Sequence, residues 1–173
     1  MNNIVLIGYR GTGKSSVADR IARATGRAVL HMDAEIIARA GRSIPDIVAA
    51  EGWPAFRDIE SAIVREAALL ADCVLDTGGG VVEREENMRL LKQSGVIFWL
   101  QAAPDAIRAR IGDAGDRPSL TGETSFTDEI DRVLARRTPL YARHADHAVA
   151  TDGRTLDEIA QEILEILAPR PSR

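Results

Sequence analysis

The sequence predicts an α/β protein with a five-stranded parallel sheet flanked by helices. Three observations predict it. Short apolar runs alternate with helical periodicities along the whole chain. The clearest run, Val96-Ile97-Phe98-Trp99-Leu100, is continuous rather than alternating, as a parallel strand covered on both faces requires. Finally, Gly8-Tyr9-Arg10-Gly11-Thr12-Gly13-Lys14-Ser15 lies between the first run and the first helix, with the spacing of a phosphate-binding loop.

The first strand is Asn3 to Ile7, and the helix after the loop runs from Ser16 to Ala24 with Val17, Ala18 and Ile21 on one face. The glycines let the backbone curl around an anion, and the helix start offers unpaired N–H groups to it. Such a loop cradles phosphates with Gly11, Thr12, Gly13, Lys14, Ser15 and Ser16. Lys14 reaches the β- and γ-phosphates and the Ser15 hydroxyl holds Mg²⁺. Ala28 to His31 is the second strand. A helix from Ala34 to Ala40 stops at Gly41, Ser43 caps the next, and Gly52 and Pro54 break the pattern before a helix from Ala55 to Leu70. Residues 33–70 are therefore a helical insert between two strands.

Cys73 to Leu75 is the third strand, followed by Asp76-Thr77-Gly78-Gly79-Gly80, where three glycines at a strand end suit close approach by a ligand. A helix from Glu85 to Gln93, the Val96–Leu100 strand and a helix from Pro104 to Arg110 come next. Residues 112–125 form a polar, breaker-rich loop of the length expected for a mobile lid, with Arg117 inside it. A helix from Thr127 to Ala135 leads to Arg136-Arg137-Thr138-Pro139-Leu140-Tyr141. Ala148 to Ala150 is a weak fifth strand, and Leu156, Ile159, Ile163 and Ile166 form the core stripe of the last helix. Ligands of such sheets sit at the carboxyl ends of the strands, so the phosphate loop, Asp33 and the triple glycine should converge on one edge.

With 173 residues, 45% of them hydrophobic, the chain suits one domain over residues 1–168, with a flexible tail at 169–173. A net charge of −4 gives no reason to expect a nucleic-acid partner. Cys73 is the only cysteine, which leaves no internal disulfide, and its apolar neighbours suit a small buried hydrophobe. No signal-peptide pattern and no membrane-length apolar stretch occur, so the expected location is cytoplasmic, with no membrane contact.

Taken together, the phosphate loop, Asp33, Phe56-Arg57-Asp58-Ile59-Glu60, Thr77-Gly78-Gly79-Gly80, Arg117-Pro118 and Arg137-Thr138-Pro139-Leu140-Tyr141 resemble the shikimate kinase family in kind and in order. The likeness covers nearly the whole chain. It implies a P-loop kinase fold with a helical substrate-binding insert and a lid, and transfer of phosphate from ATP to the 3-hydroxyl of shikimate. Mg²⁺ is the implied cofactor, ATP the co-substrate, and a monomer the implied state. The resemblance assigns substrate contacts to Arg57, Arg137 and Gly78 to Gly80. Asp33 would orient or deprotonate the attacking hydroxyl, and Arg117 would cover the transferring phosphate. Arg110 and Arg154 match positions that bracket the adenine, though each also reads as an ordinary surface arginine.

Simpler readings stand beside these roles: Asp33 as a helix N-cap, Arg57 as a surface ion pair with Asp58 or Glu60, and Arg136 and Arg137 as a basic helix end. The chain also departs from the family at His31-Met32-Asp33, where the family has Asp-x-Asp with the first aspartate near Mg²⁺. A histidine is a poor partner for that ion. Asp76, closing the third strand, is placed to return some of the lost charge as a metal-side carboxylate. Two other functions compete: a sister kinase acting on a different polyol acid such as gluconate, and a nucleotide-binding regulator without catalysis. A GTPase is excluded by the lack of an Asn-Lys-x-Asp motif.

Overall fold

The computed structural model describes residues 2–112 and 126–168. Arg117 and the rest of the expected lid beyond residue 112 lie outside the described residues, as does the tail at 169–173. Five strands, β1 (Asn3–Ile7), β2 (Ala28–His31), β3 (Cys73–Asp76), β4 (Gly95–Gln101) and β5 (His147–Ala150), form one all-parallel sheet in the order β2-β3-β1-β4-β5. β1 is central, and all five of its residues are buried.

Each face of the sheet has its own core because side chains alternate along a strand. Ile4 and Leu6 of β1 join Val74, Phe98 and Leu100 against the helices α1 (Lys14–Thr25) and α7 (Leu156–Leu167). Val5 and Ile7 point the other way, with Leu75 and Ile97, onto α2 (Met32–Ala40), α3 (Ile44–Ala67) and α4 (Glu85–Ser94). Burial of each such aliphatic side chain contributes roughly 1.5–3 kcal/mol. α5 (Pro104–Gly112) and α6 (Phe126–His144) share a smaller cluster in which Ile107 and Ile111 meet Ile130, Val133 and Tyr9. Cys73 is half-buried and packs on the core, in keeping with its reading as a small hydrophobe.

The insert between β2 and β3 takes the expected form. Ser43 caps α3 by accepting the Asp46 N–H, and Gly41 ends α2 in the left-handed region. Gly52, at φ 80° and ψ 171°, splits α3 into two segments where the sequence predicts a break. Three details differ. α2 begins at Met32 with His31 at its N-cap, so Asp33 lies within the first turn and does not cap it. α6 continues through Arg136 to His144 with Pro139 inside it, because the packing of Leu140 and Tyr141 on the core offsets the lost hydrogen bond and the ring clash that an interior proline brings. Ile166 is exposed, while Leu156, Ile159 and Ile163 hold the expected stripe of α7, joined by Ala160. Among the described residues no helix is long and apolar enough to cross a membrane.

Candidate active site

The phosphate loop follows β1, the middle strand of the five, and ends where α1 begins. Gly13 at the N-cap takes φ 89°, a conformation open to glycine and strained for residues with a Cβ. The first turn of α1 carries no acidic residue to oppose an anion. Lys14 is buried, and its Nζ donates to the Gly8 and Tyr9 carbonyls at 2.9 and 3.0 Å, which folds the side chain over the loop. The Thr12 hydroxyl donates to the Tyr9 carbonyl at 2.8 Å, so its side chain braces the loop and only its backbone is available to a ligand. Gly11, Gly13, Lys14, Ser15 and Ser16 line a cavity of about 540 Å³ with His31, Asp33, Asp76 and Arg110.

A second cavity of about 290 Å³ adjoins the first. Asp33, Gly79, Arg10 and Ile37 belong to the walls of both. Its far wall holds Arg57, Glu60, Gly80 and Arg137, with Trp53 and Phe56 as apolar cover. Arg57 and Arg137 are only 8% and 4% exposed, which rules out the surface-pair reading. The Arg57 guanidinium donates to Glu60 Oε2 at 2.7 Å and lies 5.0 Å from the Phe56 ring centre and 5.5 Å from that of Trp53. It also lies against Gly80, where a Cβ would fall 1.8 Å from Nη2, so any side chain there would displace the guanidinium from this position. Arg137 donates from Nε to Glu83 Oε1 at 2.8 Å, and its Nη1 faces Gly79. It sits mid-helix in α6, whose last turn is supplied by Arg143 and His144, so it is not a basic helix end. The Tyr141 hydroxyl donates to the Gly79 carbonyl and anchors the glycine turn, and burial pushes its pKa well above the ordinary range.

Glu60 was legible only as part of a motif, and the structure makes it a member of the site. It is fully buried, and Oε1 has no hydrogen-bond partner among the described residues. A Cβ on Gly78 would meet Glu60 Oε1 at 2.9 Å and Asp33 Oδ1 at 3.0 Å, so the two carboxylates flank the same glycine. Burial raises the Glu60 pKa; Arg57 opposes the shift and Asp33 adds to it. The sequence signal was the i, i+3 spacing of Arg57 and Glu60 on one helix face. Arg10, in both cavity walls, has no such signal, because a variable loop position says nothing about where its side chain lies.

His31 lies between two aspartates. Its Nδ1 is 2.8 Å from Asp76 Oδ2 and its Nε2 is 3.1 Å from Asp19 Oδ1. Both contacts are satisfied at once only when both ring nitrogens carry protons. Burial pushes the imidazole pKa down, but the two aspartates outweigh it and raise the group above its ordinary value of 6.5. Asp76, buried at the end of β3, is thus already paired on one oxygen. Arg110 reaches Thr151, donating to its hydroxyl at 3.1 Å. Arg154 donates to the Ala150 carbonyl and to Glu162 from the same turn, outside the wall of the phosphate-loop cavity.

A glycine loop with its lysine on one side of a shared aspartate, and a pair of buried arginines on the other, belong to a kinase for a small anionic acceptor. The family model for shikimate kinase matches residues 10–168. The chain belongs to the shikimate kinase family. Among curated family members, the shikimate kinase of Symbiobacterium thermophilum is 39% identical over 99% of this chain and 99% of its own. That of Nitratidesulfovibrio vulgaris is 40% identical over 95% of each. The solved shikimate kinase of Acinetobacter baumannii in complex with shikimate superposes with a TM-score of 0.91 at 31% identity, over 96% of this chain and 93% of that one. The parallel five-stranded P-loop kinase fold read from the sequence is the fold of this family.

Proposed function

We infer that this enzyme transfers the γ-phosphoryl group of ATP to the 3-hydroxyl of shikimate, giving shikimate 3-phosphate and ADP on the route to chorismate and the aromatic amino acids. One observation carries the reading. The phosphate-loop cavity and the arginine cavity are separate but share Asp33 and Gly79 in their walls, so two small ligands bound side by side meet at a carboxylate.

The residues then divide the work. The loop N–H groups of residues 11–16 and Lys14 hold the ATP phosphates. Arg57 and Arg137 grip the acceptor carboxylate, because a planar guanidinium matches it with two parallel hydrogen bonds. Backbone of Gly78, Gly79 and Gly80 gives the ring close approach. Asp33 accepts a hydrogen bond from the attacking hydroxyl, aims it at the γ-phosphorus, and takes its proton as the new P–O bond forms and the bond to ADP breaks. Glu60 Oε1, beside Asp33, offers an acceptor to a neighbouring hydroxyl. Arg110, in the wall of the phosphate-loop cavity, is the better supported of the two arginines proposed to bracket the base; Arg154 lies outside that wall and would have to leave Glu162 to take part.

Mg²⁺ fits the donors present. Ser15 and Asp76 offer a hydroxyl and a carboxylate in one cavity, both oxygen donors suited to a hard ion that keeps several waters. Held there, it would supply positive charge to offset that of the phosphates. Asp76 has a second task in balancing His31. Asp76→Asn is expected to raise the Mg²⁺ concentration for half-maximal turnover several-fold, as removal of one charged donor should. An unchanged Mg²⁺ titration would limit Asp76 to holding His31.

Residues from the first and second halves of the chain line both cavities together, which supports the reading of residues 1–168 as one domain, and a monomer is the state we propose for it. The absence of a membrane-length apolar helix among the described residues accords with work in the cytoplasm. The deciding experiment measures ADP release from ATP and Mg²⁺ with and without shikimate. Shikimate-dependent release is expected. Release indifferent to shikimate and stimulated by gluconate would move the enzyme to the sister-kinase reading.

A further inference from the structure

Glu83 belongs to neither cavity that the reaction uses, yet it touches both arginines that do. It ends the short 3-10 turn Val81–Glu83 that follows the triple glycine. Its Oε1 accepts from Arg137 Nε at 2.8 Å and from Arg136, and its Oε2 lies 3.6 Å from Arg57 Nη2. Its own N–H donates to the Gly80 carbonyl at 3.0 Å. One residue therefore ties together the glycine turn, α3 and α6. Glu83 lines a recess of about 370 Å³ that shares Trp53, Arg57 and Arg137 with the shikimate cavity, so the arginine pair forms the partition between the two spaces.

We propose that Glu83 is a positioning residue for the acceptor carboxylate, holding Arg137 and Arg57 from behind so that their remaining N–H groups face the substrate cavity. This rests on the reading of shikimate as acceptor. The geometry supports a brace over a competitor. Arg137 gives Glu83 its Nε edge, while its Nη1 stays turned toward Gly79 and the cavity. Arg57 gives its Nη1 to Glu60 and meets Glu83 only loosely through Nη2. Two guanidinium groups this deeply buried repel each other and need a shared anion to keep one arrangement. Burial pushes the Glu83 carboxyl up, but Arg137, Arg57 and Arg136 outweigh it and hold the group ionised, below the usual carboxylate range. Side-chain freedom removed before binding is not lost on binding, so a braced arginine binds its anion more tightly.

The test compares wild type with E83A and E83Q, using shikimate and its methyl ester, which lacks the carboxylate charge. E83A is expected to raise KM for shikimate about tenfold, the worth of one charged hydrogen bond, with KM for ATP within about twofold of wild type. The ester should lose much less. E83Q keeps an oxygen that can accept from Arg137 Nε but loses the charge, and should fall between wild type and E83A. E83M replaces E83A if the smaller side chain folds poorly, with the same expectation. An unchanged or lowered shikimate KM in E83A or E83M would overturn the proposal, as would equal losses for shikimate and its ester. Wild-type turnover on shikimate is the control. If it fails, the substrate reading falls; if it holds and E83A is unaffected, only the role of Glu83 falls.

Discussion

Lys14→Met is expected to lower kcat by roughly 10²- to 10³-fold while leaving the protein folded. The native ammonium is held by the Gly8 and Tyr9 carbonyls in a loop that frames an anion site, so its charge is already placed when phosphate arrives. Little reorganisation is needed, which is where enzymes gain most from a fixed charge. Methionine keeps the length and apolar stem and removes only the cation. The two carbonyls belong to buried residues and lose a donor, but the Tyr9 oxygen still accepts from the Thr12 hydroxyl, so a loss of about 1–3 kcal/mol of stability is expected, chiefly at Gly8. The comparison to make is kcat at saturating shikimate and ATP, beside ATP binding by calorimetry. A kcat within tenfold of wild type would remove Lys14 from the transition state and leave it a loop brace.

Arg57→Ala is the change expected to damage both stability and function. It removes the hydrogen-bonded partner of Glu60, which is fully buried. Stranding one half of a buried pair costs about 3–5 kcal/mol. It should also raise KM for shikimate roughly 10- to 100-fold, as loss of a charged bidentate contact does. The stability part carries a pH signature. The Glu60 pKa is already above its unfolded value of 4.5 through burial, and Arg57 is the main opposing influence. A carboxyl with a raised folded pKa binds its proton more readily in the folded state, so folding gains as pH falls. Removing Arg57 lifts that pKa further. The stability gap between variant and wild type should therefore be widest at neutral pH and close as pH falls toward 4.5. Urea unfolding at several pH values measures it. A pH-independent gap would mean that the lost contact is packing alone.

The middle of the sheet was legible because β1 and β4 are covered on both faces, whereas the edge strands β2 and β5 are only partly buried and read more weakly. Val96 to Leu100 reads as a strand with no tertiary knowledge, and the glycine loop fixes its own context between Ile7 and α1. Helix ends were less so. Pro139 stops a helix by local rules, but the packing of Tyr141 and Leu140 against the core carries α6 past it. Asp33, Arg57 and Arg137 could be named from residue order, whereas what they touch could not. Glu83 and Arg137 are far apart in sequence and meet only because α6 crosses the end of the glycine turn. Asp76 could be named from sequence as the carboxylate that returns charge beside His31, but its direct contact with the imidazole and the part of Asp19 could not, because the bracket draws on α1, β2 and β3 at once. Arg117 was named from the same order of motifs and lies outside the described residues.

The carboxylates behind the substrate cavity, Glu60 buried and Glu83 exposed on its outer side, have a consequence for binding itself. Arg57 and Arg137 already face Glu60 and Glu83, so two buried cations stand against two anions before any acceptor arrives. A shikimate carboxylate is then an extra negative charge in a balanced set. Glu60, with its raised pKa and an unpaired oxygen, is the member that can answer by taking a proton. Shikimate binding should accordingly be coupled to proton uptake and weaken as pH rises. The heat of binding will then depend on the ionisation enthalpy of the buffer, and the site will act as an acceptor for a proton and an anion together.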